Sequence, residues 1–422
     1  MESTTNDADR PIRMRAVLTY AVGDLGLNFY WQGAGFFLFF FYTDVVGLPN
    51  LTAGFVIAAG GLVDAVTDPA MGFIADRTRS RFGRYRVYLL FGAPALALAY
   101  AFLFWAPLAV PASFAAAAAL AAHVIFRIVY TCVSIPYGSL GANLTSDAGA
   151  RTNLAGARMF FGALGGLMVV QLVVWFRSGL EDSHAFVIAG AVAGLLGAAP
   201  VIATGLATRE RHYASRAGET VQSPAAVAGL VARNRPFLIL IAAMLLITVA
   251  NVLFAKTVLY LFERILKAPE TGAATMTVMT VAPLAALPFW TFVFRVIDKR
   301  PGFLAGCAAT AASFLLLLIA GEGSPLMTAV ACVLISTSFA AFAVGFWSIL
   351  PDTIDFGHLQ TGARTESSLI GIASAAQKIG IATGGALIGV ALDAAGYDAA
   401  GTISSASAGE LRMMIASAPI AA

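Results

Sequence analysis

Twelve apolar runs alternate with polar breaks along this chain. They lie at about 16–43, 52–75, 87–106, 112–142, 154–177, 184–206, 236–262, 272–294, 302–320, 325–350, 367–394 and 405–422. A bilayer span takes about 20 apolar residues. Backbone groups in hydrocarbon must be satisfied within their own segment, so each run predicts a helix. The last is short for a crossing, which reads as a truncated twelfth helix. The longest polar interruption, 207–235, divides the runs six and six. It predicts an N-terminal bundle over 1–206, a linker over 207–235 and a C-terminal bundle over 236–422.

Composition agrees. Of 422 residues, 59% are hydrophobic and 12% charged, against about 45–50% and 25% in soluble domains. The net charge of +3 is too small to point to nucleic acid. Cys132, Cys307 and Cys332 lie in apolar runs without a CxxC, so neither a disulfide framework nor a zinc site is suggested. The polar N-terminus lacks the apolar core of a signal peptide.

Lys and Arg placement sets the orientation. With the N-terminus cytoplasmic, the inside breaks carry Arg10, Arg13 and Arg15, the five arginines Arg77, Arg79, Arg81, Arg84 and Arg86, and Arg151. They also carry Arg209, Arg211, Arg216, Arg233, Arg235, Arg295, Lys299, Arg300 and Arg364. Outside stand only Arg177, Arg264, Lys267 and Arg412. The loop GFIADRTRSRFGR after the second run is echoed by FRVIDKRPG after the eighth, the trace expected of a duplicated six-helix bundle. Carriers built from such repeats bind cargo near the bilayer midplane.

Charged residues inside a span cost about 2.5–3.5 kcal/mol each on insertion scales and usually face a cavity or a partner. Asp64 and Asp68 are i,i+4 on one helix face, and Pro69 leaves the Ala65 carbonyl without its helical donor. Such an oxygen-rich set suits a proton or a hard cation such as Na⁺ or Li⁺, and the alternative is a structural ion pair with Arg127 or Lys378. Asp24, Asn28 and Gln32 form a polar stripe on the first helix beside Tyr30 and Trp31, suited to lining a cavity or to holding that helix to its neighbours. Arg127, Tyr130, Thr131 and Ser134 share a face of the fourth helix. Arg158 and Lys378 lie within apolar helices, Lys256 sits where a side chain can snorkel, and His123 reads as a packing residue. Asp76, with Arg77 and Arg84, is placed to latch the inner end.

The motifs YTDVVGL (42–48), DAVTDPAMGFIADRTRSRFGRYR (64–86), IPYGSL (135–140), R-x7-GG (158–166) and AQKIG (376–380) occur in family order. The chain resembles the glycoside–pentoside–hexuronide:cation symporters, the melibiose-permease branch of the major facilitator superfamily. The resemblance implies an all-α membrane protein of twelve spans in two pseudo-symmetric bundles, in the bacterial cytoplasmic (inner) membrane. It implies that Asp64 and Asp68, with Thr131, bind the coupling cation, Na⁺, Li⁺ or H⁺, and that Arg158 and Lys378 line the central cavity. Thr67, which stands where melibiose permease has an asparagine near its cation, is a further expected cation contact. The Lys–Asp pair of that permease on helix one is replaced here by Leu27 and Asn28, its helix-four aspartate by Ser134 and its stacking aromatic by Gly138, so a galactoside is not expected.

The expected activity is cation-coupled symport of a glycoside or other sugar derivative by alternating access. Asp24, Asn28, Gln32, Trp31, Arg127, Tyr130, Ser134, Arg158 and Lys378 are the expected substrate contacts. A lysolipid or other amphiphilic or anionic cargo is the alternative, and a non-transporting sensor a lesser one. No catalytic cluster and no cofactor beyond the coupling ion are expected. The expected partners are the solute, the cation and the lipid bilayer, not nucleic acid, with the chain acting as a monomer.

Overall fold

The computed structural model describes residues 14–145, 147–208, 210, 224–262, 266–320, 324–361 and 365–394. The run at 405–422, Arg10, Arg13, Arg209, Arg211, Arg216, Arg264, Arg364 and Arg412 lie outside them. Among the described residues all regular structure is helical: α1 (Met14–Phe40), α2 (Asn50–Arg77), α3 (Arg86–Trp105), α4 (Ala112–Ala142), α5 (Ala148–Arg177), α6 (Asp182–Ala207), α7 (Pro224–Arg233), α8 (Arg235–Tyr260), α9 (Pro269–Val296), α10 (Lys299–Ala320), α11 (Pro325–Thr361) and α12 (Glu366–Ala394). Nine of them are long and apolar enough to cross a membrane. α1 is 27 residues long but falls outside those nine, carrying Asp24, Asn28 and Gln32.

Three departures from the hydropathy pattern are the largest, each with a local reason. α5 starts at Ala148 rather than 154 because Asp147 accepts a hydrogen bond from the Ala150 amide, an N-cap ahead of the apolar run. α7 is a short helix inside the polar break 207–235, opened by Pro224, a residue suited to a first helical turn. α11 runs eleven residues past the expected end at 350, because its polar extension PDTIDFGHLQT stays helical.

The described chain divides into two compact units. The first comprises Met1–Arg235 together with Leu350–Ala375. In it α1 packs on α5 and α6, α3 on α4 and α6, and α2 on α4. α1 and α5 approach closely at Gly165, where a Cβ would collide with the Leu25 carbonyl. The Tyr30 hydroxyl donates to the Gly194 carbonyl across α1 and α6 at 2.7 Å. The end of α11 and the start of α12 belong to this unit through polar contacts taken up below.

The second unit comprises Pro236–Ile349 and Ala376–Ala422. Its core gathers Phe254, Phe314, Phe339 and Phe342. The buried Lys299 donates to the Ser348 carbonyl at 2.9 Å. Asp298, the acid of the echoed loop, accepts from the Lys299 amide at 2.7 Å and so starts α10. Lys256 is exposed on this unit and Lys378 is half-buried on α12.

Candidate ion and solute site

The spacing of residues on α2 and α4 builds the centre of the first unit. The two helices run parallel in one register. A Cβ on Gly60 would meet the His123 ring, Asp64 forms an ion pair with Arg127, and Asp68 accepts from the Thr131 hydroxyl at 2.7 Å. Each rung lies one helical turn beyond the last, as i,i+4 spacing on both helices requires. Asp64 and Asp68 are both 0% exposed. Arg127, one of the two basic residues expected near the acids, is thus an ion-pair partner of Asp64. The Thr67 hydroxyl donates to Val63 of its own helix at 2.9 Å, so it is not turned toward the acids.

Arg127 is held from a second side. Its guanidinium lies 4.7 Å from the centre of the Trp31 ring, and Trp31 in turn packs on Tyr130 with ring centres 5.7 Å apart. A guanidinium over an aromatic face gains about 0.5–2 kcal/mol. Carboxylate, guanidinium and indole thus join α2, α4 and α1. The Ser134 hydroxyl on α4 is buried and makes no hydrogen bond in the structure.

A second buried pair lies deeper along α1. Asp24 pairs with Arg158 of α5, and the Tyr137 hydroxyl stands 3.1 Å from the same carboxylate. Tyr137 stacks on Tyr20 with ring centres 4.6 Å apart, and the Tyr20 hydroxyl donates back to the Tyr137 carbonyl at 2.6 Å. Arg158 lies over the Tyr137 ring at 5.1 Å. Asn28 donates to the Asp24 carbonyl at 2.9 Å. The Asn28 and Gln32 side chains rest against Gly162 and Gly166 of α5. The polar stripe of α1 therefore serves the α1–α5 contact.

The arginine-rich end of the unit is held by carboxylates. Asp76 accepts from the Ser367 and Ser368 amides, both at 3.0 Å, and from the Ser368 hydroxyl at 2.7 Å. These amides open α12, where helical donors lack partners and the helix dipole favours an anion. Arg77 folds back on its own helix, donating to the Phe73 carbonyl at 2.9 Å. The Arg84 amide donates to Glu210, which also accepts from Tyr85 and Arg86 at the start of α3. Of the three expected latch residues, Asp76 makes the docking contact with α12. Replacing Asp76 by alanine removes an anionic acceptor of three hydrogen bonds. A loss of about 1–3 kcal/mol is the expected result in a detergent thermal melt, and Asp76→Asn should recover part of it.

Several contributors lay outside the expected set. Arg151, 6% exposed, pairs with Asp352 at 2.6 Å and Asp355 at 2.5 Å on the polar extension of α11. Asn234 donates to the Thr353 carbonyl at 2.8 Å. Glu366 accepts from Asn143 and lies 3.5 Å from the Tyr85 hydroxyl. Burial first, then the charges of Glu366 and Asp76, hold the Tyr85 phenol well above its usual pKa, so it stays a neutral donor. The signals were present: the i,i+3 acids in PDTID place two carboxylates on one helix face, and ESS marks a helix start.

The comparisons with known proteins agree with this architecture. The uncharacterized symporter YnaJ of Bacillus subtilis (strain 168) is 28% identical over 92% of this chain and 84% of its own length. The isoprimeverose transporter of Lactiplantibacillus pentosus is 25% identical over 90% and 80%. The proton:xylose symporter XylE, solved with a bound sugar analogue, superposes with a TM-score of 0.68 at 15% identity, covering 96% of this chain and 94% of XylE. That likeness establishes the fold, the major facilitator fold. The relatives are transporters rather than enzymes. The profile of the family described as MFS/sugar transport protein matches residues 19–422, and the chain belongs to that family of multi-pass membrane transporters.

Proposed function

We propose that this protein is a cation-coupled symporter that carries a glycoside or other sugar derivative across the bacterial cytoplasmic membrane by alternating access. The observation that carries the reading is the α2–α4 ladder, in which Asp68 and Thr131 meet in a fully buried site beside the charged pair Asp64–Arg127. A carboxylate kept in such a place responds strongly to the arrival of a cation. Asp68, with the Thr131 hydroxyl, is the acid we assign to the coupling ion. Trp31, Tyr130 and Arg158 are the groups of this unit that we assign to the solute. The printed name of the isoprimeverose transporter supports a sugar-like cargo. Arg127 and Arg158 are each engaged by an aspartate, which argues against a lysolipid phosphate as the group they evolved to hold.

Alternating access needs an ion that binds the solute-competent state better than the other state. The contacts of Asp76, Arg151, Glu366 and Glu210 at the arginine-rich end supply breakable charged links there. With the N-terminus inside, that end is cytoplasmic, and the links would part when the inner gate opens. The reading is tested with purified protein in proteoliposomes and a panel of radiolabelled glycosides. Accumulation above equilibrium under an imposed proton or Na⁺ gradient, absent without one, is the expected result. Uptake that ignores every gradient would reject coupling.

A further inference from the structure

We propose that Arg127 is a resident cation that takes the place of a bound metal ion at the acid pair, so that this carrier neither binds nor needs Na⁺ or Li⁺. The inference rests on the symport reading above and specifies the ion at its site.

A sodium site built on Asp64 and Asp68 needs both carboxylates turned to the ion. In this chain the Asp64 carboxylate is already in contact with the Arg127 guanidinium. Arg127 is itself 13% exposed, fixed on its helix opposite Asp64, and backed by the Trp31 ring at 4.7 Å. The rungs on either side, His123 against Gly60 and Thr131 on Asp68, hold α4 in the register that points Arg127 at Asp64.

Two cations would have to share this space if Na⁺ entered. Placed about 4 Å from the guanidinium, a monovalent ion would be repelled strongly in so buried a site, with affinity falling at least about tenfold for every 1.4 kcal/mol of that repulsion. A guanidinium is never deprotonated, so its charge persists beside the acid pair. The donor set therefore does not fit a sodium ion while Arg127 stays. The arginine supplies permanently the positive charge that a metal ion would bring transiently.

The test reads ion binding alone, with no solute. Purified full-length protein is titrated with NaCl or LiCl against choline chloride at constant ionic strength, following thermal unfolding and calorimetric heat. The wild type is expected to show no saturable Na⁺-specific shift. Arg127→Ala and the longer neutral Arg127→Gln are expected to show one, with Na⁺ affinity at least about tenfold above wild type. Asp68→Asn added to either variant should remove it. A saturable Na⁺ shift in the wild type would overturn the proposal, and so would folded variants that stay blind to Na⁺. If neither variant folds, the wild-type titration decides by itself. Failure of the symport reading would look different: glycoside uptake indifferent to every ion gradient, whatever the Na⁺ titration gives.

Discussion

Asp68→Asn is expected to leave a folded carrier that equilibrates its solute but no longer concentrates it. The amide keeps the size of the carboxylate and can still accept from the Thr131 hydroxyl, which lies 2.7 Å from Asp68 in the native site. Packing is preserved and only the charge is removed. A coupled cation moving through 100 mV contributes about 2.3 kcal/mol, equivalent to roughly 50-fold accumulation of solute. The variant should fall from that order to a ratio of about one, while exchange of labelled for unlabelled solute persists. Thermal melts should place it within about 1 kcal/mol of wild type. Undiminished accumulation in Asp68→Asn would remove the assignment of the coupling ion to this acid.

The second large effect concerns the Asp64–Arg127 pair. Removing one partner of a buried ion pair leaves an uncompensated charge and costs about 3–5 kcal/mol. Asp64→Leu and Arg127→Met should each lose about that much stability in detergent melts. Together they replace the pair by apolar groups, which is often neutral or better, so the double variant should be more stable than either single one. A double variant destabilised by the sum of the two would show that the residues do not act as a unit. Asp24–Arg158 has the same design and should behave in the same way.

Much of this site was legible in the sequence because helical periodicity needs no structure to be read. Gly60, Asp64 and Asp68 repeat every four residues, and so do His123, Arg127 and Thr131. Each set must share a face. What the sequence could not supply was the offset between the two faces, which decides that Arg127 meets Asp64 while Thr131 meets Asp68. That offset is a packing property of α2 on α4. The polar stripe of α1 illustrates the same limit. Its spacing fixed a shared face, but only the glycines of α5 show that Asn28 and Gln32 are directed there.

The contacts at the arginine-rich end were less legible for a different reason. Hydropathy stops at the membrane surface, whereas α11 continues to Thr361 and brings Asp352 and Asp355 to Arg151. The echoed loops also diverge in use: Asp298 starts the helix that follows it, whereas Asp76 docks on α12. The likeness of the two loops predicts a duplication, whereas the contacts that Asp76 and Asp298 make differ.

The central claim, that solute and cation cross together, is tested most directly without any imposed gradient. A glycoside that the carrier accepts is added outside proteoliposomes, and external H⁺ and Na⁺ are followed while labelled solute enters. Cation uptake in a fixed ratio to the solute, absent from protein-free vesicles and lost in Asp68→Asn, is the expected result. Solute entry with no accompanying cation would contradict it.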